Sequence, residues 1–403
     1  MANQVATINF IPIGDISEIN GISSDKIAEF NTIPFVIELP GGRILIVGGS
    51  ATKAQISIND GTSWADISTG TLSTARTASQ GTNIYVDAFT GAPPNTRQQF
   101  LVVGYSGSTS HVSRSFDGGV NWDVSMHSGR IYDWTSICRD ASYVYVGEWS
   151  YNYYLRSTDW GKTFTQHSMP TGFGINFVQS YDGQYVYAGN ATGQPSIQKS
   201  SNYGVTFGLA GTTQTTGHKF VSCDGSGQHV FAYYLGGAHS IWFSSNYGTS
   251  FTRLNAGANG GQASHFRDGT LHFYTVATLA DASYGFLYST DASTWTRVQF
   301  PSNWTTGWTS SPYTYMSVSQ AYKRIYIFRP GVKDFYKLND AKNGWDLVYT
   351  MDNGIPVVGA ASEFRDEVFV GDSSQNFYLI TPSGTRTGPI YTGATTRNIP
   401  SLF

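Results

Sequence analysis

Charge is what this chain has least of. Only 13% of its 403 residues are Asp, Glu, Lys or Arg, about half of the roughly 25% usual in soluble proteins. The net charge is −3 and Lys and Arg nowhere cluster. Nucleic-acid binding rests on concentrated positive charge, so that class of partner is excluded. Cysteine is nearly absent: Cys138 and Cys223 are the pair, too few for a metal-binding spacing or a disulfide framework. Their contexts match, SICRD and VSCDG, which predicts equivalent inner-strand positions where each is a small buried hydrophobe. No apolar run reaches the roughly 18 residues that mark a membrane helix, so no membrane insertion is expected. The N-terminal MANQVATINFIPIG has no basic stretch followed by an apolar one and is not read as a secretory leader. The eight histidines, His111, His127 and His167 among them, show no metal spacing and are read as loop or surface residues. No cofactor is expected.

What is abundant is glycine, 45 residues, and aromatics, 15% of the chain with 26 Tyr and 10 Trp. That composition fits short strands joined by many turns. A short stretch recurs: SINDGTSW at 57–64, SFDGGVNW at 115–122, STDWGKTF at 157–164, SSNYGVTF at 200–207 and SSNYGTSF at 244–251, then the shorter STDASTW at 289–295 and the looser LNDAKNGW at 338–345. Its Asp or Asn falls at Asn59, Asp117, Asp159, Asn202, Asn246, Asp291 and Asp340, with successive gaps of 58, 42, 43, 44, 45 and 49. A fixed period of this size marks a repeat architecture. The chemistry of the stretch is that of a turn lock. The Asp or Asn oxygen accepts N–H bonds from its own turn, Ser adds a second side-chain bond to the backbone, and Gly supplies a positive φ. The Trp or Phe opens the next strand and is expected to pack back over the hairpin. Around each stretch lie four runs rich in β-branched and aromatic residues, for example KFVSCDGSG, HVFAYYL, SIWFSSN and SFTRLN, with the lock between the third and fourth. An eighth unit, from IPVVGAASEF to PIYTG, carries the decayed form TPSGTRT.

The pattern Ser-x-Asp-x-Gly-x-x-Trp/Phe resembles the Asp-box, or BNR repeat. The resemblance implies an all-β fold, a β-propeller of four-stranded blades with the box in a hairpin of each. Eight units give eight blades, with seven as the alternative if one unit is not a true blade. Radial packing lets each sheet bury both faces and leaves only short edges. The domains expected are an N-terminal docking arm at 1–32, the propeller at 33–392 and a C-terminal tail at 393–403 that closes the ring or docks on a partner.

The arm holds a repeat of its own: Asp15-Ile16-Ser17-Glu18-Ile19-Asn20 aligns with Lys26-Ile27-Ala28-Glu29-Phe30-Asn31. This segment resembles one common in bacteriophage virion proteins, tail-associated ones in particular. The resemblance implies docking to other virion proteins through residues 1–31, in multiple copies per particle, at a tail, baseplate or head.

Sialidases are the enzymes best known for Asp-boxes, and the resemblance extends to Phe30-Asn31-Thr32-Ile33-Pro34. There the family has an Arg that binds the substrate carboxylate; here the position is Thr32. A hydroxyl cannot supply a bidentate, permanently charged fork. Glycoside hydrolysis would need two spaced carboxylates or an activated Tyr, and the acids that could share a face are Asp133 and Glu148. Loops 2–3 and 4–1 of each blade emerge on one face. On that face the sequence places Trp134, Trp149, Tyr151, Phe173, Trp304, Trp308 and Tyr313, rings flanked by Asn, Ser and Thr that can stack on sugars or anchor a protein. The expectation is a non-enzymatic virion protein that presents this face, with host-surface glycan as the ligand. The alternative is a glycan-cleaving enzyme on the same fold.

Overall fold

The computed structural model describes residues 18–19, 22–23, 45–49, 52–66, 76–77, 100–106, 109–115, 121–128, 132–137, 142–148, 152–159, 161–170, 174–190, 197–211, 220–233, 241–254, 259–277, 285–304, 315–320, 322–329, 331–352, 354–361, 366–374, 376–392 and 401–402. Within these residues the protein is all-β, with eight four-stranded antiparallel sheets in chain order. Blade three shows the pattern: Tyr132–Ile137, Val144–Glu148, Tyr153–Ser157 and Thr165–Ser168 lie side by side in sequence order. Blade two covers 76–128, blade four 174–209, blade five 220–253, blade six 259–299, blade seven 315–350 and blade eight 356–392. The expected count of eight is met, and in every blade from three to eight the recurring turn joins the third strand to the fourth.

Blade one departs from that order. Its strands run Ser401–Leu402, Leu45–Gly49, Thr52–Ser57, Ala65–Asp66, with Leu45 opposite Leu402 and Ile46 opposite Ser401. Ser401 and Leu402, from the stretch expected to close the ring or dock on a partner, supply a strand of the first sheet. The segment expected to open the first unit, including Thr32 and residues 33–44, lies outside the described residues, as does Cys138. In the arm, Glu18–Ile19 pairs with Ile22–Ser23. The Asn20-Gly21 between them is the commonest pair for a two-residue hairpin.

The core sits between blades. Second strands read as nearly continuous apolar runs because both faces are covered. Val144–Glu148, Val230–Tyr233 and Val368–Asp372 are buried at every residue. Each of the five seams from blades three–four to blades seven–eight has its own cluster. Tyr145, Tyr154 and Met169 meet Phe177 and Val186, Tyr187 and Ile197 meet Val221 and Ala232, and Phe231 and Phe243 meet Tyr274. Phe273 and Phe286 then meet Ile327, and Phe335 and Val348 meet Val370 and Tyr378.

Polar side chains stitch the same seams. Asn176 of blade four accepts from the backbone N–H of Val221 in blade five at 3.1 Å. Gln262 of blade six accepts from Met316 in blade seven at 2.9 Å, and Ser317 of blade seven from Ala361 in blade eight at 2.6 Å. Each bond satisfies a main-chain donor on the innermost strand that no further strand can reach.

Candidate functional site

The recurring turns, read from the sequence as structural locks, have the geometry of a scaffold. In blade one the Ser57 hydroxyl donates to Asn59 Oδ1 at 2.9 Å and accepts the Gly61 N–H at 2.9 Å, while Ser63 N–H donates to Asn59 Oδ1 at 3.0 Å. Ser157 and Asp159, Ser200 and Asn202, and Ser244 and Asn246 repeat this arrangement. The Asn59, Asn202 and Asn246 carbonyls accept from the residue three ahead. Both central residues of those turns have positive φ: Asp60 and Gly61, Tyr203 and Gly204, Tyr247 and Gly248. That is a type I′ turn, whose twist matches antiparallel strands. Three bonds to its own loop leave the carboxyl or amide little capacity for a ligand. In Asp159 burial would raise the carboxyl pKa, and the bonds from Thr163 and Ser157 outweigh it and hold the group below its usual value.

The looser copies keep the lock with other atoms. In blade six, Asp291 accepts from Ser293 and Thr294 at 2.9 and 2.7 Å in a loop one residue shorter. In blade eight the Thr381 hydroxyl replaces the carboxyl, accepting the Thr385 N–H at 3.0 Å. Blade seven corrects the sequence reading. The lock there is Asn339, which accepts the Asn343 N–H at 3.0 Å, and not Asp340. With no Ser two positions earlier to fix the register, the turn forms one residue upstream. Asp117, the blade-two member, lies outside the described residues.

The aromatic residue does more than cover its own hairpin. Phe207 of blade four packs into the blade three–four cluster, Phe251 into four–five, Trp295 into five–six and Trp345 into six–seven. Trp345 Nε1 also donates to the Gln299 carbonyl of blade six at 2.9 Å, and Trp64 Nε1 of blade one to the Ile390 carbonyl of blade eight at 3.2 Å. The turn itself leans on the previous blade too: Tyr145 of blade three donates to the Tyr203 carbonyl at 2.7 Å, and Tyr143 stacks on Tyr203 with centroids 4.9 Å apart. The expected self-contained lock is therefore a clamp between neighbours.

On the face of the 2–3 and 4–1 loops, two candidates are placed otherwise than expected. Trp304 is 1% exposed and belongs to the blade six–seven core, edge-on to Tyr336 at 5.7 Å. The Arg329 guanidinium donates to its carbonyl at 2.7 Å. A short 3₁₀ turn, Ser302–Trp304, carries the indole inward instead of leaving it on a loop rim. Glu148 is 0% exposed at the end of its strand, so its carboxyl does not meet a ligand arriving from solvent. Trp134 sits within the innermost strand opposite Gly147, and the register shifts between Tyr132 and Trp134, so Asp133 occupies a bulge beside the Tyr132–Glu148 pair. Innermost strands of blades four and eight break register at the corresponding place, between Gly174 and Asn176 and between Pro356 and Val358. Recurrent bulges of this kind re-aim a strand end at a rim. Trp149, Tyr151, Phe173, Trp308 and Tyr313 lie outside the described residues.

The group the sequence reading missed lies between blades five and six, on the 1–2 loop side. His265 and His272, both 1% exposed, face each other with Nδ1 atoms 2.8 Å apart. His265 Nε2 lies 3.3 Å from the Ser222 carbonyl of blade five. His229 Nδ1 meets Asp224 Oδ2 at 2.6 Å, and the His229 and His272 rings are 4.3 Å apart. Burial pushes the His272 imidazole down to about 4 and His265 well below the usual histidine value. Asp224 is held below the ordinary carboxylate range by its bonds to His229 and Ser226, which outweigh its own desolvation. These histidines are core residues, not the loop residues expected. Their signal was the pairing of His265 and His272 across a predicted 1–2 turn. Among the described residues no group of three or more His, Cys, Asp or Glu is arranged to hold a metal ion, and no helix is long and apolar enough to cross a membrane.

No family model matches the chain, and no curated protein matches it. Solved β-propeller structures do. Hydrazine synthase of Kuenenia stuttgartiensis is 14% identical, with 75% of this chain and 98% of that one covered and a TM-score of 0.51. YCF48 bound to D1 peptide is 12% identical, covering 72% and 78%, with a TM-score of 0.43. The GH74 enzyme of Niastella koreensis is 14% identical, covering 84% and 68%, with a TM-score of 0.38. Likeness at this identity concerns the fold alone, and the first comparison is the one that carries it.

Proposed function

We propose that this chain is a non-catalytic Asp-box propeller of a bacteriophage virion, mounted in several copies through residues 1–31 on other virion proteins and presenting its aromatic 2–3/4–1 loop face to host-surface glycan. The observation that carries the virion reading is the repeat of the arm, Asp15–Asn20 against Lys26–Asn31, joined to a repeat propeller of very low surface charge. The scaffold reading is supported by where the candidate residues are spent. Glu148 and Trp304 are enclosed, and the Asp and Asn of the turns are saturated by their own loops. Thr32 stands where a sialidase needs its arginine.

The test is deletion of residues 1–31 in the producing phage, with the particles assayed by mass spectrometry. Loss of the chain from purified particles, with the isolated propeller still folded, supports the reading. Particles that retain the truncated chain overturn it. A glycan array on the isolated propeller examines the ligand, and cleavage of any arrayed glycan would favour the enzyme alternative.

A further inference from the structure

The buried histidines of blades five and six follow from one constraint. A carbonyl oxygen only accepts, so His265 Nε2 must carry the hydrogen that faces Ser222. A neutral His265 then has a bare Nδ1. The 2.8 Å contact needs one hydrogen, and it can come only from His272 Nδ1. The order is fixed: His272 donates to His265, and His265 donates across the seam to blade five. A proton added to His265 Nδ1 puts two N–H groups head to head and turns an attraction into a repulsion.

We propose that the seam between blades five and six is an acid-operated latch, closed while His265 and His272 share one hydrogen and opened when the pair takes up a further proton. The surroundings leave few ways to shelter that charge. From blade five the pair is faced by Asp224, His229 and the rings of Phe231 and Phe243. From blade six comes Asp291, in the turn; the Arg267 guanidinium is directed away, to the Gln179 carbonyl of blade four at 2.9 Å. Blade seven contributes the neutral Gln320, which donates to the His265 carbonyl at 3.1 Å. Asp224 is the nearest anion, but its oxygens are already engaged by His229 and Ser226. His229 adds a second imidazole against His272. The neighbouring backbone bonds run through the same loops: Gly225 N–H to the Arg267 carbonyl and Tyr181 N–H to the Gly225 carbonyl. A parted seam therefore frees a contiguous stretch of the 1–2 face.

Both histidines have folded-state values below the unfolded one. The opened state binds protons that the closed state refuses, so the closed seam is favoured above about pH 6.5 and weakened as pH falls below it. Two such groups raise the opening constant by up to about 100-fold per pH unit. This window lies above the range in which ordinary carboxylates titrate. The inference does not depend on the virion reading.

Hydrogen exchange read by mass spectrometry on the full chain, corrected for intrinsic rate, tests it between pH 7.5 and 5.0. Peptides from 220–233 and 259–277 should gain at least tenfold in opening, with blades three and eight unchanged. The variant H265Q/H272Q keeps donors and acceptors but cannot take up a proton, and it should show no such gain. An equal gain in all blades, or the same gain in the variant, overturns the proposal. If the variant does not fold, imidazole nitrogen shifts of the wild-type chain decide. Two rings that stay neutral at pH 5.5 in the closed state support the latch, and a folded-state titration near 6.5 ends it.

Discussion

Trp64 and Ile390 are 326 positions apart, yet the indole N–H of one donates to the carbonyl of the other at 3.2 Å. The bond joins blade one to blade eight and repeats, across the closing seam, the relation of Trp345 to Gln299. Ring closure thus uses the same clamp as an internal seam, assisted by the strand Ser401–Leu402. Trp64→Phe keeps the ring and removes the donor, and should cost about 0.5–1.5 kcal/mol in chemical denaturation. Removing residues 401–403 as well should depart from the sum of the two changes, because both act on one seam. Strict additivity would mean the two closures are independent.

Gly204 and Gly208 form a matched pair for backbone effects. Gly204 has φ of 66°, and a Cβ there would lie 2.5 Å from the Tyr145 hydroxyl of the previous blade. Gly208 has nothing within 4 Å of its would-be Cβ. Gly204→Ala should destabilise by about 2 kcal/mol or more, from left-handed strain plus the displaced tyrosine. Gly208→Ala should stay within about 0.5 kcal/mol. Comparable melting temperatures for the two variants would contradict the clamp.

The register shift in blade seven makes a prediction against the sequence alignment. Asn339→Ala removes the acceptor of the Asn343 N–H and should cost about 1 kcal/mol. Asp340→Ala should be nearly silent in the same denaturation experiment.

Cys223 is 3% exposed, and burial pushes its thiol up to about 12. The thiolate is the reactive form, so an aromatic disulfide reagent at pH 8 should label it only as fast as the seam of blades four and five opens. Labelling within seconds in the native protein would contradict this burial.

Asp224 gives a pH dependence of the opposite region. Its folded value is lowered, chiefly by the His229 bond after its own desolvation is overcome. Its contribution is therefore fully present above about pH 4 and is lost as pH falls through the lowered value. Asp224→Asn should be less stable than wild type at pH 7, and the two denaturation curves should converge toward pH 2.

The wheel of sheets was legible because the turn lock recurs at a readable period and because the strand runs around it are short and apolar. The physics that hid the rest is tertiary. Whether an indole lies on a rim or in a seam depends on the neighbouring blade, so Trp304 and a fully exposed Trp read alike in one dimension. Asn339 and Asp340 are adjacent and both can accept from a turn, and neither has a Ser two positions earlier to choose between them. The amides of Asn176 and Gln262 act on strands some 50 residues away, a distance at which no local pattern survives. His265 and His272 were grouped with surface histidines because their one local sign, a place on either side of a 1–2 turn, does not say that blade five covers them.

The pairing of Leu45 with Leu402 has a consequence for synthesis. A ribosome exposes the partner strand of Leu45 only after every other blade has emerged, so the first sheet must wait, unfinished, while the other seven are made. A prematurely terminated chain then carries an open edge that chaperones and proteases can recognise, while a full-length chain hides it.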